Sequence, residues 1–240
     1  MCPQPFLALR ILPPQPKAFD IFVQEATAMF YLTKTPWAVK KMLPGYTWSI
    51  PTKEKKIYLS FDDGPHPVAT PFVLDALRQF SAKASFFCIG KNVKAYPDIY
   101  KRIIQEGHRT GNHTFHHLNG RKSTSEEYIR DILDARKYID SNLFRPPYGR
   151  ISRFQARLLT ASENPRQEAV FRVIMWDVLS GDFDMKISPE KCAENVTRNA
   201  GPGSIVVFHD SEKAFPRMRV ALMETLNFFT GRGYRFETIP

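Results

Sequence analysis

The chain of 240 residues is 43% hydrophobic, which suits one soluble α/β domain with a sizeable core. Its formal charge of +10 comes from scattered Lys and Arg with no long basic block and no nucleic-acid signature, so a generally basic, solvated surface is read in place of a nucleic-acid binder. Three widely spaced cysteines, Cys2, Cys88 and Cys192, indicate neither a disulfide framework nor a CxxC metal site, and no apolar stretch reaches the roughly 18 to 20 residues of a spanning helix.

Residues 1–28 are proline-rich at first and carry no sustained period. The apolar run 6–12 is interrupted by Arg10 and lacks a small-residue cleavage site, so it does not read as a signal peptide. The composition shift makes Met29 the expected start of the natural protein, an expectation that an intact mass beginning at Met1 would defeat. Residues 1–56 are therefore read as an extension and lead-in to a main domain at 57–240, with Trp37, Val39, Met42, Leu43 and Trp48 packing across its bottom or side. From Ile57 onward strand-like and helix-like segments alternate, which favours a parallel α/β arrangement over a sandwich or a bundle. A β-prone run from Ile57 ends at Asp62 and Asp63, Gly64 and Pro65 break the chain, and a helical pattern begins near Val68. Further strands are predicted at 84–89, 108–112, 143–145, 171–176, 204–208 and 234–238, and helices at 97–106, 125–140, 152–161, 189–200 and 218–230. Pro97 and Pro189 suit a first helical turn, while Tyr128, Ile132, Ala135 and Ile139 form one apolar stripe. Seven strands emerge, with no internal repeat.

Polar residues cluster at the strand ends. Asp62 and Asp63 follow the first strand, His113 the third, Arg145 ends the fourth, Asp177 follows the fifth and His209 the sixth. In a barrel of parallel strands all C-terminal ends meet at one face, where such folds carry their chemistry. Two adjacent acids there repel each other and lose hydration, so they ask for a cation or a buried Arg; the plainer alternative is a turn former and helix cap. His113 and His117 would share one face of a helical turn and reach one ion, with His108 and His116 as nearby decoys, or they form an ordinary histidine pair. With Asp63 they make a set of two His and one Asp that leaves positions open for water and substrate. Asp62 then stays unligated and accepts a proton from water whose pKa the ion lowers towards about 7. Arg145 supplies a cation for the acidic pair, and Pro146 and Pro147 stiffen the turn that aims the Tyr148 N–H; alternatively Arg145 is a surface charge beside a loop. His209 reads as a general acid, with Asp177 holding its other nitrogen. Asp210 points elsewhere and caps the following segment.

In this order, SFDDGP, HTFHH, RPPYG, WDVLSGDF and VVFHD resemble the five motifs of the polysaccharide deacetylase (NodB-homology) family, carbohydrate esterase family four. The likeness runs from Ile57 to the C-terminus, and the ordered set is far more specific than any one piece. The resemblance implies a deformed (β/α)7 barrel of mostly parallel strands with its active site at the C-terminal strand ends. It also implies metal-dependent removal of N-acetyl groups from amino-sugar polymers or oligomers. Residue by residue, it implies Asp62 as base, Asp63, His113 and His117 as metal ligands, Arg145 as the partner of Asp62, Tyr148 as oxyanion donor through its N–H, Asp177 as the tether of His209, and His209 as acid. Zinc is the expected metal, and cobalt, nickel, iron or manganese also suit two imidazoles and a carboxylate. Phe183 stands where the family often has Trp, and Val207 where it usually has Leu, changes expected to reshape the floor of the site. The expected partner is an N-acetylated glycan. Such a polymer points to the cell envelope, whereas the missing signal and odd cysteine count point to the cytoplasm, which is favoured. Two other readings stand beside this one. The first is a hydrolase of a non-carbohydrate amide or cyclic C–N bond on the same barrel. The second is a non-catalytic glycan-binding protein, disfavoured because every proposed catalytic position is filled.

Overall fold

The computed structural model describes residues 31–160 and 171–240. The proline-rich stretch 1–28, the expected start at Met29 and the end of the helix expected at 152–161 lie outside them. In chain order the elements are α1 (Trp37–Met42), β1 (Lys56–Asp62), α2 (Ala69–Gln79), β2 (Ala84–Cys88), α3 (Gly90–Ala95), α4 (Pro97–Gln105), β3 (Arg109–Asn112), α5 (Ser125–Arg136) and β4 (Leu143–Phe144). A short 3-10 turn (Pro147–Gly149) comes next, then α6 (Arg153–Thr160), β5 (Arg172–Val173), β6 (Val178–Leu179), α7 (Pro189–Asn199), β7 (Ile205–His209), α8 (Phe215–Thr230) and β8 (Arg235–Phe236). Among the described residues there are eight strands where seven were expected. The run 171–176 stops at Val173, and Val178–Leu179 forms a separate strand beside β7.

The strands pair in the order β5-β4-β3-β2-β1-β7-β6, with β8 on β1, and every pairing is parallel. The seven strands on this path curl into a half-barrel, the deformed (β/α)7 architecture. Its two open edges, β5 and β6, are consecutive in sequence, and the segment before β1 bonds to both. Thr47 donates to the Val173 carbonyl and Thr35 to the Asp177 carbonyl, each at 2.9 Å, while Leu179 donates to Thr33 at 2.8 Å. Residues 33–47 thus form a strap across the opening. Trp48 is buried in the core and Val39 and Leu43 pack against it, but Trp37 and Met42, expected to pack, are 71% and 67% exposed.

Side-chain alternation along β1 sorts chemistry from packing. Ile57, Leu59 and Phe61 join the core under the outer helices, whereas Tyr58 packs in the barrel interior with Phe87, Ile174 and Ile205. Period two therefore puts Ser60 and Asp62 on the interior face with Tyr58. The same parity on β7 sends Val206 and Phe208 outward, where Phe208 stacks on Phe61, and leaves Val207 and His209 inward. Among the described residues no helix is long and apolar enough to cross a membrane.

Candidate active site

Asp62 is the last residue of β1 and is buried. A charge there needs a partner, and the fully buried Arg145 provides it, with Nη1 donating to Asp62 Oδ1 at 2.6 Å and to Ser60 Oγ at 2.8 Å. Its other donors reach the Ile174 and Met175 carbonyls at 3.2 and 3.1 Å, and its guanidinium lies 4.0 Å from the Phe87 ring centre. Burial works against its charge and the Asp62 carboxylate supports it; the net effect leaves the guanidinium pKa somewhat below its usual value.

Asp63 would point towards the helices if β1 continued. A left-handed backbone at φ 81° turns it into the mouth, where Oδ1 lies 3.2 Å from His117 Nε2 and 3.7 Å from His113 Nε2. Burial opposes its ionisation, but His117, His209 and His113 outweigh that and hold the carboxyl well below the usual carboxylate range. The two imidazoles do not sit on a helical turn, as the spacing led us to expect. Residues 113–117 are a loop with left-handed φ of 64° at Thr114 and 61° at His117, and these two bends bring the rings to 5.1 Å apart. His113 Nδ1 is 2.7 Å from the Arg145 carbonyl. A carbonyl only accepts, so Nδ1 carries the proton and Nε2 presents its lone pair. Burial pushes the His113 pKa down to about 4, with Asp62 opposing, so this imidazole is neutral at pH 7.

The ligand atoms of Asp63, His113 and His117 all lie within 4.8 Å of one another, and among the described residues the buried Asp63 Oδ1 has no hydrogen-bond partner. The Asp63 oxygen and the His113 Nε2 lone pair converge on one point, an arrangement that is repulsive unless a cation sits between them. The donor set of two nitrogens and one oxygen therefore fits a divalent metal with open positions.

His209 ends β7 directly beside Asp62 in the β1–β7 register. Asp182, and not Asp177, holds it: the Asp182 carboxylate accepts from the His209 backbone N–H at 2.7 Å and from Nδ1 at 2.8 Å. Burial works against the imidazolium, yet Asp182, then Asp63 and Asp62, push the His209 pKa up to about 9. The Phe183 ring packs against it at 5.2 Å. Asp177 precedes β6 and so lies at the opposite end of the barrel, where Ser204 Oγ bonds it at 2.5 Å, Lys34 Nζ at 2.6 Å, and Lys40 pairs with its other oxygen. The sequence carried the missed signal. Because Val178–Leu179 is the strand, the acid at its C-terminal mouth is Asp182, reached through Gly181.

Asp210 is buried and turns back to the end of β1 instead of capping the next segment. It accepts from Gly64 N–H at 3.1 Å and Thr70 Oγ1 at 2.5 Å. A Cβ on Gly64 would lie 2.1 Å from Asp210 Oδ2, so only glycine fits after the two acids. His116 is anchored outside the triad by Asp131 at 2.5 Å, and His108 accepts from the Ala84 N–H at 3.2 Å. The mouth thus gathers Asp62, Asp63, His113, His117, Arg145, Tyr148 and His209, adds Asp182 and omits Asp177.

Comparison with known proteins places this arrangement in context. A family model described as polysaccharide deacetylase matches residues 49–163. A peptidoglycan-N-acetylglucosamine deacetylase of Bacillus cereus is 39% identical over 202 residues, covering 81% of this chain and 92% of the relative. A chitooligosaccharide deacetylase of Azorhizobium caulinodans is 36% identical over 173 residues, covering 69% and 79%. Among solved structures, a peptidoglycan N-acetylglucosamine deacetylase superposes with a TM-score of 0.75 at 31% identity, covering 86% of this chain and 95% of the other.

Proposed function

The chain belongs to the polysaccharide deacetylase family, and from that premise we propose that it hydrolyses the acetamide of N-acetylglucosamine units in a glycan strand, with a divalent cation held by Asp63, His113 and His117. Relatives named for peptidoglycan N-acetylglucosamine and for chitooligosaccharides support amino-sugar N-deacetylation as the reaction class. The observation that carries the residue roles is the placement of Asp62 and His209 side by side at one register position of the β1–β7 pairing. Asp62 is ion-paired to Arg145, and His209, with its pKa near 9, is protonated at pH 7.

A cation in the triad, for which zinc best suits the donors, supplies Lewis acidity and makes water acidic near neutral pH. Asp62, oriented through Oδ1 by Arg145, takes the proton of the attacking water on its other oxygen. The Tyr148 N–H, on a turn held left-handed at φ 59°, donates to the oxygen that gains charge, an interaction worth about 3 to 4 kcal/mol per donor in comparable sites. His209 donates from Nε2 to the amine nitrogen as the C–N bond breaks, and Asp182 steadies the imidazole while it does so. Acetate and a free amino sugar leave with the water's proton on Asp62 and His209 neutral, and the site resets as Asp62 releases its proton to solvent and His209 takes one up.

The test is metal content with acetate release from N-acetylglucosamine oligomers and from peptidoglycan, with and without EDTA. About one zinc per chain and chelator-sensitive acetate are expected. Asp62→Asn should keep the metal and lose most turnover, while Asp63→Ala should lose the metal first. Equal metal content and equal activity in the two variants would refute the assignment. His209→Ala should slow turnover roughly 100- to 10,000-fold, the range for loss of a general acid.

A further inference from the structure

The two histidines of the triad are secured differently. His113 is buried, and its Nδ1 proton is committed to the Arg145 carbonyl at 2.7 Å, an acceptor held in place because Arg145 itself bonds along β3 and the barrel interior. His117 is on the loop, partly open to solvent, with a left-handed backbone. Among the described residues no buried carbonyl bonds its ring. What faces its Nδ1 is the phenol oxygen of Tyr148 at 3.1 Å, with the two rings edge to face at 4.6 Å. Tyr148 is otherwise a curious residue for its place. It is 61% exposed, and as a bulky side chain it holds a backbone conformation that favours glycine, immediately before a glycine. A role through its backbone N–H alone leaves this side chain unexplained.

We propose that the Tyr148 phenol is a positioning group for His117: it accepts the Nδ1 proton, so that the Nε2 lone pair faces Asp63, and thereby raises the affinity of the triad for a divalent cation. A ligating imidazole gains both orientation and basicity when its second nitrogen donates to an oxygen, and removing such a partner typically costs 10- to 100-fold in metal affinity. The inference rests on the metal-site reading above and adds a residue to it. It also gives the RPPYG turn two separate duties, one through the main chain of Tyr148 and one through its side chain.

Tyr148→Phe removes only the hydroxyl and retains the ring contact and the backbone. Zinc affinity of the full chain would be measured by competition against a chromophoric chelator, and the visible spectrum of the cobalt-loaded protein recorded in parallel. The expected result is a zinc Kd weakened about tenfold with altered cobalt bands. Unchanged Kd and unchanged bands in Tyr148→Phe would overturn the proposal. So would a loss confined to Tyr148→Leu, which would assign the effect to ring packing. Absence of metal binding in the unaltered chain is a different outcome: it would overturn the metal-site reading and this inference with it, whereas equal affinities overturn the phenol's role alone.

Discussion

Asp62 and Asp63 are neighbours in the chain with opposite duties, and one backbone angle separates them. Strand parity points Asp62 inward to Arg145, and the positive φ of Asp63 swings the next carboxylate to His113 and His117. A similar economy applies to His209, the proposed acid, since Asp182 grips it through both its ring and its main chain. Because the His209 pKa is raised from 6.5 to about 9, its protonated form is favoured by folding. That contribution to stability is complete below the ordinary imidazole range and is lost as pH rises through about 9. The pH profile of kcat/KM should accordingly hold to about 9 and fall above it. Asp182→Asn should draw this alkaline limb down towards the usual imidazole value, so that activity at pH 8 drops more than activity at pH 6. Asp177→Asn should leave the limb where it is; a limb that moves in Asp177→Asn and stays in Asp182→Asn would reverse the assignment.

At the scale of elements, α5 shows how packing reaches the site. Its start is secured by a capping box in which Thr124 and Glu127 exchange side-chain and backbone bonds. One turn further on, its buried Asp131 accepts from the backbone N–H groups of Phe115 and His116, each at 2.9 Å, and from the His116 ring. The helix is therefore the template on which the loop between the two triad histidines is pinned. Thr124→Ala should cost about 1 kcal/mol of stability and leave zinc affinity alone. Asp131→Ala should lower both the melting temperature and the affinity, because the His116 N–H and ring lose their acceptor and the Phe115 N–H keeps only the Asp131 backbone carbonyl. Wild-type affinity in Asp131→Ala would show that the loop holds its shape without the helix.

For the molecule as a whole, the sheet order places β1 between β2 and β7, so the proposed base Asp62, the proposed ligand Asp63 and the proposed acid His209 come from adjoining strand ends. The same order leaves β5 and β6 as open edges that the strap at residues 33–47 must close. Asp177 is a post for that strap. Burial raises its pKa, but Lys34, Lys40 and Ser204 outweigh burial and hold it below its usual value. Its contribution to stability is therefore present above the ordinary carboxylate range and lost as pH falls through the lower folded value. Asp177→Asn should melt earlier than the unaltered chain at pH 7, with the gap narrowing towards pH 3. A gap that widens on acidification would remove the strap's ion pairs from the account.

Much of the site was legible in the order of short motifs, because residue types that share a mouth in a parallel barrel must each follow a strand. Hydrophobic alternation and helix stripes located most elements to within a few residues, and the family likeness joined them into one constellation. Other features depend on contacts between distant segments. Which of two aspartates in WDVLSGDF meets His209 turned on where a two-residue strand pairs with β7, and so short a strand has no periodicity to read. Left-handed turns at Thr114 and Tyr148 are disfavoured by those residue types, and Asp63 and His117 tolerate theirs without dictating them, so surrounding packing must select all four. The sequence by itself determined the chemistry available, which acids, imidazoles and guanidinium stand at strand ends. Tertiary structure alone decided which acid serves which histidine and how the triad converges, because these depend on register and backbone handedness, set only when the sheet closes.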